Sequence, residues 1–190
     1  AYHHSMCPVE QYVPLSIEAE KLGFDTITMP DSICYPKEAS SKYPYNNDGS
    51  REFLDGVPFM EPFLLAAHLA AKTENIRFTT SVHKLAVHEP ALIAKSLSTL
   101  AILSGNRFGY GVGISPWAED FEVTNVPWER RGKRMDEMIE IINGLMSGEY
   151  FGYQGEIFDL PEIKLCPVPS ERPPILVGGH SKPALRRAAR

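Results

Sequence analysis

Polar and flexible residues follow the short apolar segments of this chain and are the candidates for its chemistry. They are His3 and His4, Asp31 and Ser32, residues 81–84, residues 115–117 and residues 178–181. If these segments are parallel strands, their carboxyl ends meet at one edge, where α/β proteins bind their ligands. The set offers imidazole, carboxylate, hydroxyl and flexible backbone, but it has no Gly-x-Ser-x-Gly elbow, no phosphate-binding P-loop and no metal-ligand spacing. It therefore predicts a ligand site without a metal ion.

The run Gly178-Gly179-His180-Ser181 is the most informative of these groups. Glycines allow backbone amides to turn toward an anion, and the helix predicted from residue 183 onward adds the attraction of its N-terminus. Ser181 can cap this helix and donate to a phosphate, although an ordinary glycine turn with a serine cap explains the same residues. His180 is more typical of a solvent-facing loop than of a catalytic group. The arginines of residues 183–190 either face a phosphate or form a solvated helix face.

Alternate glycines mark the strand predicted for residues 108–114. Glycine weakens a strand interior, so Gly109, Gly111 and Gly113 indicate that something approaches the backbone closely. A planar ligand at the end of this strand is one explanation, and crowding against neighbouring helices is the other. Asp31 is accordingly either a turn residue or a group that faces the ring of such a ligand. The Gly-Val-Gly run does not match a dinucleotide-binding fingerprint.

Apolar periodicity predicts helices and strands in alternation. Helices are predicted at residues 10–22, 61–71, 89–103, 130–146 and from 183 onward, strands at residues 24–30, 76–82, 108–114 and 175–177, and a hairpin at residues 150–158. Residues 1–5 are either the end of a first strand or a tag remnant. This order predicts an α/β fold with a parallel sheet, either doubly wound or a (β/α)8 barrel. A barrel needs about 250 residues and therefore more sequence than is present.

Composition argues against several kinds of partner. The net charge of −5 and the pI near 5.7 disfavour nucleic acid, which binds basic surfaces. No apolar run approaches the length that spans a bilayer, and no signal peptide opens the chain. The three cysteines are odd in number and far apart, as is typical of reduced thiols in a cytoplasmic protein. We expect one domain over residues 1–190, with a C-terminal part missing because the sequence stops inside a helical pattern.

Two further segments suggest a lid and a partner subunit. Residues 33–58 are rich in Pro, Tyr, Ser, Asn, Asp and Gly, and loops of this length are usually functional. Their aromatic residues, Tyr35, Tyr43, Tyr45 and Phe53, favour an ordered lid over a site. The helix at residues 61–71 is apolar nearly all round, so we expect it to be buried, in part by a second copy of the chain.

Five segments in a fixed order resemble a known family. They are residues 19–32, residues 103–113, residues 131–137, residues 153–158 and residues 174–179. Together they are similar to the bacterial-luciferase-like monooxygenases and F420-dependent oxidoreductases, over nearly all of the chain. This resemblance implies a TIM barrel of the luciferase type, of which about five βα units are present here. It also implies a homodimer that holds FMN or the deazaflavin F420 at the carboxyl ends of its strands.

The resemblance also implies where the cofactor lies. Gly178, Gly179 and Ser181, with His180 between them, would cradle its phosphate. Ile114 and Ser115 at the end of the fourth strand would line its cavity, together with Asp31 and Ser32 at the second. A bulge after the third strand, at a non-proline cis peptide between Ser81 and Val82, would lie behind its ring.

The proton donor is not carried over from the family. Some deazaflavin members have a histidine after the aspartate of the second strand and a glutamate past the fourth strand, where this chain has Ser32 and Pro116. His3, His4 or His83 can take that role, with Asp31 as the carboxylate candidate, and the sequence does not choose among them.

The predicted function follows from the resemblance. The protein is expected to be an oxidoreductase that passes a hydride between a flavin-type ring and a small organic substrate, or that uses reduced FMN to activate oxygen. The alternative is a shortened barrel that binds flavin without turnover, or an inactive fragment that binds nothing.

Overall fold

The computed structural model describes residues 2–3, 7–39, 41–43 and 47–190, with residues 2–3 described by their backbone alone. Strands and helices alternate, as the periodicity predicts. The strands are β1 (Tyr2–His3), β2 (Thr26–Met29), β3 (Arg77–Thr80), β4 (His83–Lys84), β5 (Phe108–Gly113), β6 (Tyr150–Gln154), β7 (Asp159–Lys164) and β8 (Ile175–Val177). The helices are α1 (Tyr12–Lys21), α2 (Pro62–Ala70), α3 (Pro90–Leu103), α4 (Ala118–Val123), α5 (Arg131–Leu145) and α6 (Lys182–Ala188).

The main sheet is parallel throughout and follows the order of the chain. β1 pairs with β2, β2 with β3, β3 with β5, and β5 with β8. β4 also pairs with β5, beyond the point where β3 stops, so β3 and β4 form one interrupted wall strand. A doubly wound sheet reverses its strand order at a switch point, and this sheet has no reversal. The five wall strands therefore form an arc of a (β/α)8 barrel, which confirms the predicted fold class.

The helices cover the outer face of this arc for the reasons that the sequence suggests. α2 begins with Pro62 at a position that needs no N–H, and the Glu61 side chain caps it by accepting from Leu64 N at 2.6 Å. α3 ends at Leu103, and Gly105, the second residue after it, has a φ of 64° that suits glycine. α5 buries Met135, Met138, Ile142 and Leu145, the periodic apolar residues that predict it. None of the helices in the described ranges is long and apolar enough to cross a membrane.

Three elements differ from the prediction, the first being β4, since one strand was predicted at residues 76–82 and none at 83–84. The hairpin is longer than predicted, because β6 pairs with β7 and the chain turns between them at residues 155–158. The buried carboxylate of Glu137 on α5 fixes this turn by accepting the N–H groups of Glu156, Ile157 and Phe158. Helix α4 was not predicted, because its six residues are too few to show a helical period.

Polar contacts close the end of the sheet at which the strands begin. The Arg107 guanidinium donates to the carbonyl oxygens of Ala70, Thr73 and Ile76, and the Glu20 carboxylate accepts from three successive backbone N–H groups at residues 74–76. Burial raises the pKa of Glu20, but the three N–H donors and Arg107 outweigh it and hold that pKa below its ordinary value. Charge-assisted hydrogen bonds therefore fix this end of the barrel. They contribute to stability, whereas the chemistry of such barrels lies at the opposite end.

Two of the three β5 glycines, Gly111 and Gly113, are explained by the neighbouring strand. A Cβ at Gly111 would lie 1.8 Å from the Thr80 carbonyl oxygen, and one at Gly113 would lie 2.5 Å from Val82 Cγ2. Thr80 and Val82 flank the break between β3 and β4. The sequence offered two explanations for these glycines, a ligand and the neighbouring helices. Neither applies to Gly111 or Gly113, because the interrupted wall strand fills the space that their side chains would occupy.

We expect Gly111→Ala to destabilise the protein by roughly 3 kcal/mol or more, since a methyl group cannot share space with a backbone carbonyl. Gly109→Ala is the matched control, because the nearest atom to its Cβ would be 3.7 Å away, an ordinary contact. Urea unfolding of both variants measures the difference. Equal stabilities would contradict the close approach of β3 to β5.

Candidate functional site

A cavity of about 660 Å³ opens at the carboxyl ends of β5 and β8, where a barrel of this kind binds its ligands. Its volume lies within the range usual for small-molecule sites. Six of the residues predicted to bind a cofactor line it: Ile114, Ser115, Gly178, Gly179, His180 and Ser181. The remaining wall comes from Pro116, from Arg130 and the first residues of α5, and from α6. Residues 114–115 and 178–181 are far apart in sequence and are brought together because β5 and β8 pair directly.

The two glycines of this cavity are required by their surroundings. A Cβ at Gly178 would lie 2.7 Å from Val82 Cγ1, and Gly179 has a φ of 124° that side-chain-bearing residues rarely adopt. Ser181 is the N-cap of α6, and its Oγ accepts from Ala184 N at 3.3 Å. This bond uses an oxygen lone pair, so the hydroxyl proton can still be donated to a ligand. The glycine turn and the serine cap are thus both present, and both face the cavity.

Three guanidinium groups contribute to the cavity wall. Arg187 is held by Asp136 at 2.6 Å and by the Gly132 carbonyl, and Arg130 is paired with Glu156. Arg131 differs from both, since it makes no ion pair with a carboxylate in the described part of the chain. Its guanidinium lies 3.6 Å from the centroid of the Trp128 ring and donates to the Trp128 carbonyl at 3.3 Å. Arg131 is therefore preorganised and keeps its charge available for an anion.

The predicted cis peptide between Ser81 and Val82 is confirmed. It lies at the break between β3 and β4, beside the cavity rather than in its lining. Ser81 is exposed, whereas Val82 is half-buried and packs against Gly113 and Gly178. Val82 therefore joins the break in the wall strand to the glycine turn.

A buried ionic network lies below the rim of the barrel, by which we mean the carboxyl ends of its strands. Lys84 Nζ is 2.8 Å from Asp120 Oδ2, and the Ser115 hydroxyl donates to the same carboxylate. Ser115 Oγ also accepts from Trp117 N at 3.0 Å, so its hydroxyl is directed into this network. Ser115 thus lines the cavity, while its hydroxyl is bonded to Asp120 of α4 and to the backbone N–H of Trp117. Because the ion pair is almost completely buried, its two charges depend on each other.

The catalytic candidates Asp31 and His83 lie together, next to His88 and away from the cavity lining. Asp31 accepts from Lys84 N at 2.8 Å and is 3.9 Å from His83 Nε2, while His83 Nδ1 is 2.8 Å from the Tyr110 hydroxyl. Burial, with smaller contributions from His88 and Lys84, lowers the pKa of His83 well below its ordinary value. Burial also raises the pKa of Tyr110 well above its usual range. His83 is therefore a neutral imidazole near pH 7. The side chain of His3 and all of His4, the other two candidates, lie outside the described residues.

The loop at residues 33–58 is fastened to α4. Arg51 and Glu119 form a buried ion pair at 3.1 Å, and the Arg51 guanidinium lies 3.7 Å from the centroid of the Trp117 ring. The Tyr43 ring is stacked with the Trp117 ring, and their centroids are 5.6 Å apart. A smaller cavity of about 200 Å³ lies between loop and ring, and Ser32 lines it together with Arg51 and Trp117. Ser32 thus faces the loop rather than the larger cavity.

Comparison with known proteins agrees with this geometry. The family described as luciferase-like monooxygenase matches residues 2–190. The chain belongs to the luciferase-like monooxygenase family.

Proteins that are similar to this chain are longer than it is. An uncharacterized protein of Mycobacterium tuberculosis is 53% identical over 190 residues, which cover 100% of this chain and 66% of that protein. The F420-dependent glucose-6-phosphate dehydrogenase of Microbacterium testaceum is 28% identical, over 95% of this chain and 52% of its own length. Among solved structures, the oxygenating component of 3,6-diketocamphane monooxygenase from Pseudomonas putida, in complex with FMN, superposes with a TM-score of 0.67 at 19% identity, over 87% of this chain and 45% of that one. The chain thus spans from about half to two thirds of these relatives.

Several residues of this luciferase-like site escape prediction from sequence. Asp120, Glu119 and Arg51 are buried charges that sequence alone does not mark, because their partners lie on other elements. Lys84 belongs to the candidate run 81–84, but its pairing with Asp120 was not predicted. Arg130 and Arg131 lie at the start of the amphipathic helix α5 and resemble its solvated end. The signal that could have found them is position, since Arg130 is the N-cap of α5 and Arg131 is its first residue.

Removing one member of the buried pair should be more harmful than removing both. We expect Asp120→Ala to cost about 3–5 kcal/mol, since it leaves the Lys84 ammonium buried without a counter-charge. The double variant Lys84→Met/Asp120→Leu should recover a large part of this loss, because two apolar side chains replace the pair. Chemical denaturation of both proteins measures it. A double variant less stable than Asp120→Ala would show that the pair itself is not the source of the cost.

Proposed function

We propose that this protein is an oxidoreductase that uses FMN or F420, and that it binds the phosphate of this cofactor in the cavity between β5 and β8. The observation that carries the proposal is the convergence of a paired-glycine turn, the Ser181 hydroxyl and the Arg131 guanidinium on one cavity. Relatives named as F420-dependent and a structural neighbour that holds FMN support the cofactor class. The reaction is hydride transfer or oxygen activation on a small organic substrate.

The residues of the cavity fit such a group. A phosphate site offers N–H donors, a hydroxyl and a cation. Its backbone must also approach the phosphate oxygens closely, without a side chain in the way. Gly178 and Gly179 line the cavity with backbone alone, since neither carries a side chain. When bound, a flavin or deazaflavin supplies the redox chemistry, and the protein supplies binding, orientation and exclusion of water.

The loop at residues 33–58 is proposed to be the lid over the substrate side of the site. It is held by the ion pair of Arg51 with Glu119 and by stacking on Trp117, contacts that are buried and therefore weakly screened by salt. A lid anchored in this way excludes water from the rim. Water exclusion strengthens electrostatic interactions in a site and protects reactive species from hydrolysis.

The candidates for the proton carrier of the reaction are still His3, His4, His83 and Asp31. Asp31 and His83 are outside the cavity lining, and of the described residues that line the cavity only His180 carries an imidazole. Asp31 is the candidate that combines a carboxylate with proximity to the strand ends. The three cysteines are free thiols, in keeping with our proposal that the protein works in the cytoplasm.

We also propose that the protein forms a homodimer through α2 and α3. These helices expose large apolar side chains, with Leu64 73% and Leu103 66% accessible, and both residues line a groove of about 400 Å³. Leu92 on α3 is similarly exposed. A second copy of the chain offers the same leucines, so a two-fold arrangement would cover the apolar surface of both copies.

The cofactor proposal is tested by titrating the purified protein with FMN and with F420 and following their fluorescence. We expect saturable binding of one of them, and Arg131→Gln should weaken it by about 10- to 100-fold through loss of a charge-assisted contact. Arg186→Gln is the control, because Arg186 is exposed on α6, outside the cavity lining, and the substitution removes the same charge.

Three outcomes of this experiment have different meanings. Binding that Arg131→Gln weakens, followed by turnover with the reduced cofactor, supports the enzyme. Binding without turnover of any substrate tested supports a non-catalytic flavin-binding barrel. No binding of either cofactor, or equal loss in both variants, would rule out the cavity as the cofactor site.

The dimer is tested by light scattering after gel filtration. We expect a mass of two chains for the unaltered protein and of one chain for Leu64→Glu, since a carboxylate cannot be buried in an apolar interface without large cost. Leu22→Glu is the control, because Leu22 is 69% exposed at the end of α1, away from the groove. A single-chain mass for the unaltered protein would refute the proposal.

A further inference from the structure

Three side chains of metal-binding type meet below the rim, although they are dispersed in the sequence. Asp31 follows β2, His83 lies on β4, and His88 follows the short turn after β4. One possible ligand atom from each lies within 4.8 Å of the other two. We propose that Asp31, His83 and His88 form a site for a divalent transition-metal ion of the zinc type. This site is separate from the cofactor cavity, and the inference does not depend on the proposed function.

The donor set suits such an ion. Two imidazoles with one carboxylate are the ligands of many zinc and iron sites, whereas calcium and magnesium prefer oxygen alone. Three protein ligands leave coordination positions that water can occupy. The carboxylate of Asp31 supplies negative charge, and the ammonium of nearby Lys84 is already paired with Asp120 at 2.8 Å.

The hydrogen bonds of His83 prepare one of its nitrogens for a metal. His83 Nδ1 is bonded to the Tyr110 hydroxyl at 2.8 Å, which leaves Nε2 as the free nitrogen, 3.9 Å from Asp31 Oδ2. A histidine ligand usually has its second nitrogen held by such an outer partner, which fixes the tautomer and the ring orientation. Tyr110 is fully buried and therefore holds the ring firmly.

His88 has a nitrogen that lacks a partner. Its Nε2 is buried and makes no hydrogen bond with any described residue. A buried polar atom without a partner is destabilising, and a metal bond would satisfy it. Arg134 donates to the His88 carbonyl at 3.0 Å, so the backbone of this residue is fixed while its half-buried side chain is less confined.

Metal binding requires one local movement. The rings of His83 and His88 are stacked, with centroids 4.3 Å apart and planes within 13°. Ligands 2.0–2.2 Å from one ion lie within about 4 Å of each other, and each imidazole must point a nitrogen at the ion. The His88 ring therefore has to turn out of the stack, while His83, held by Tyr110, stays in place.

The test is a titration of the chelator-treated protein with Zn²⁺ by calorimetry and with Co²⁺ by visible absorption, without added cofactor. We expect one ion per chain, a Co²⁺ spectrum of nitrogen and oxygen ligation, and at least 10-fold weaker binding for His88→Gln and for Asp31→Asn. Thermal melts in the absence of metal verify that both variants fold.

The control is His3→Gln/His4→Gln, because two adjacent histidines can bind metal by themselves. This variant should bind Zn²⁺ as the unaltered protein does. Loss of binding in the control, unchanged binding in both His88→Gln and Asp31→Asn, or no saturable binding at all would overturn the proposal. None of these outcomes bears on the cofactor titration, so the two proposals fail separately.

Discussion

The architecture of the rim depends on the close approach of β3 to the glycine strand β5. The Thr80 carbonyl occupies the space that a side chain at position 111 would fill, and Val82 occupies the space beside positions 113 and 178. These contacts allow the wall strand to break and resume as β4 without losing its pairing with β5. The break directs His83 and Lys84 inward and moves Val82 toward the glycine turn. The break in the wall strand, the inward position of His83 and Lys84, and the packing of Val82 on the glycine turn thus all depend on glycine at positions 111, 113 and 178.

The two ends of the barrel use buried charge in different ways. At the end where strands begin, Arg107 and Glu20 bond to backbone groups that would otherwise be unsatisfied. At the rim, Lys84 with Asp120 and Arg51 with Glu119 bond side chain to side chain across elements. Such pairs gain little net stability over apolar residues of similar size, so their presence at the rim suggests that they fix geometry there. They hold α4 and the loop at residues 33–58 against the strand ends.

Periodic residues made the fold predictable, while contacts between distant elements made the site only partly so. The apolar period of α5 and the alternation of helices with short strands determine a parallel arc, and a run of two glycines and a serine after β8 marks the cavity. The meaning of the β5 glycines was not predictable, because the atoms that crowd them belong to a break in another strand. Helix α4 was missed because six residues carry no period. The cluster of Asp31, His83 and His88 matches no sequence motif. Asp31 is far in sequence from the two histidines because it lies at the end of a different strand, which only the fold brings close to them.

The last strand of the arc has an open side. Among the described strands, β8 is hydrogen-bonded only to β5, and Leu176 at its centre is half exposed. Its other edge offers backbone donors and acceptors in a parallel register that is already set by Ile175 and Val177. A further βα unit could therefore be appended at this seam without rearranging the units before it.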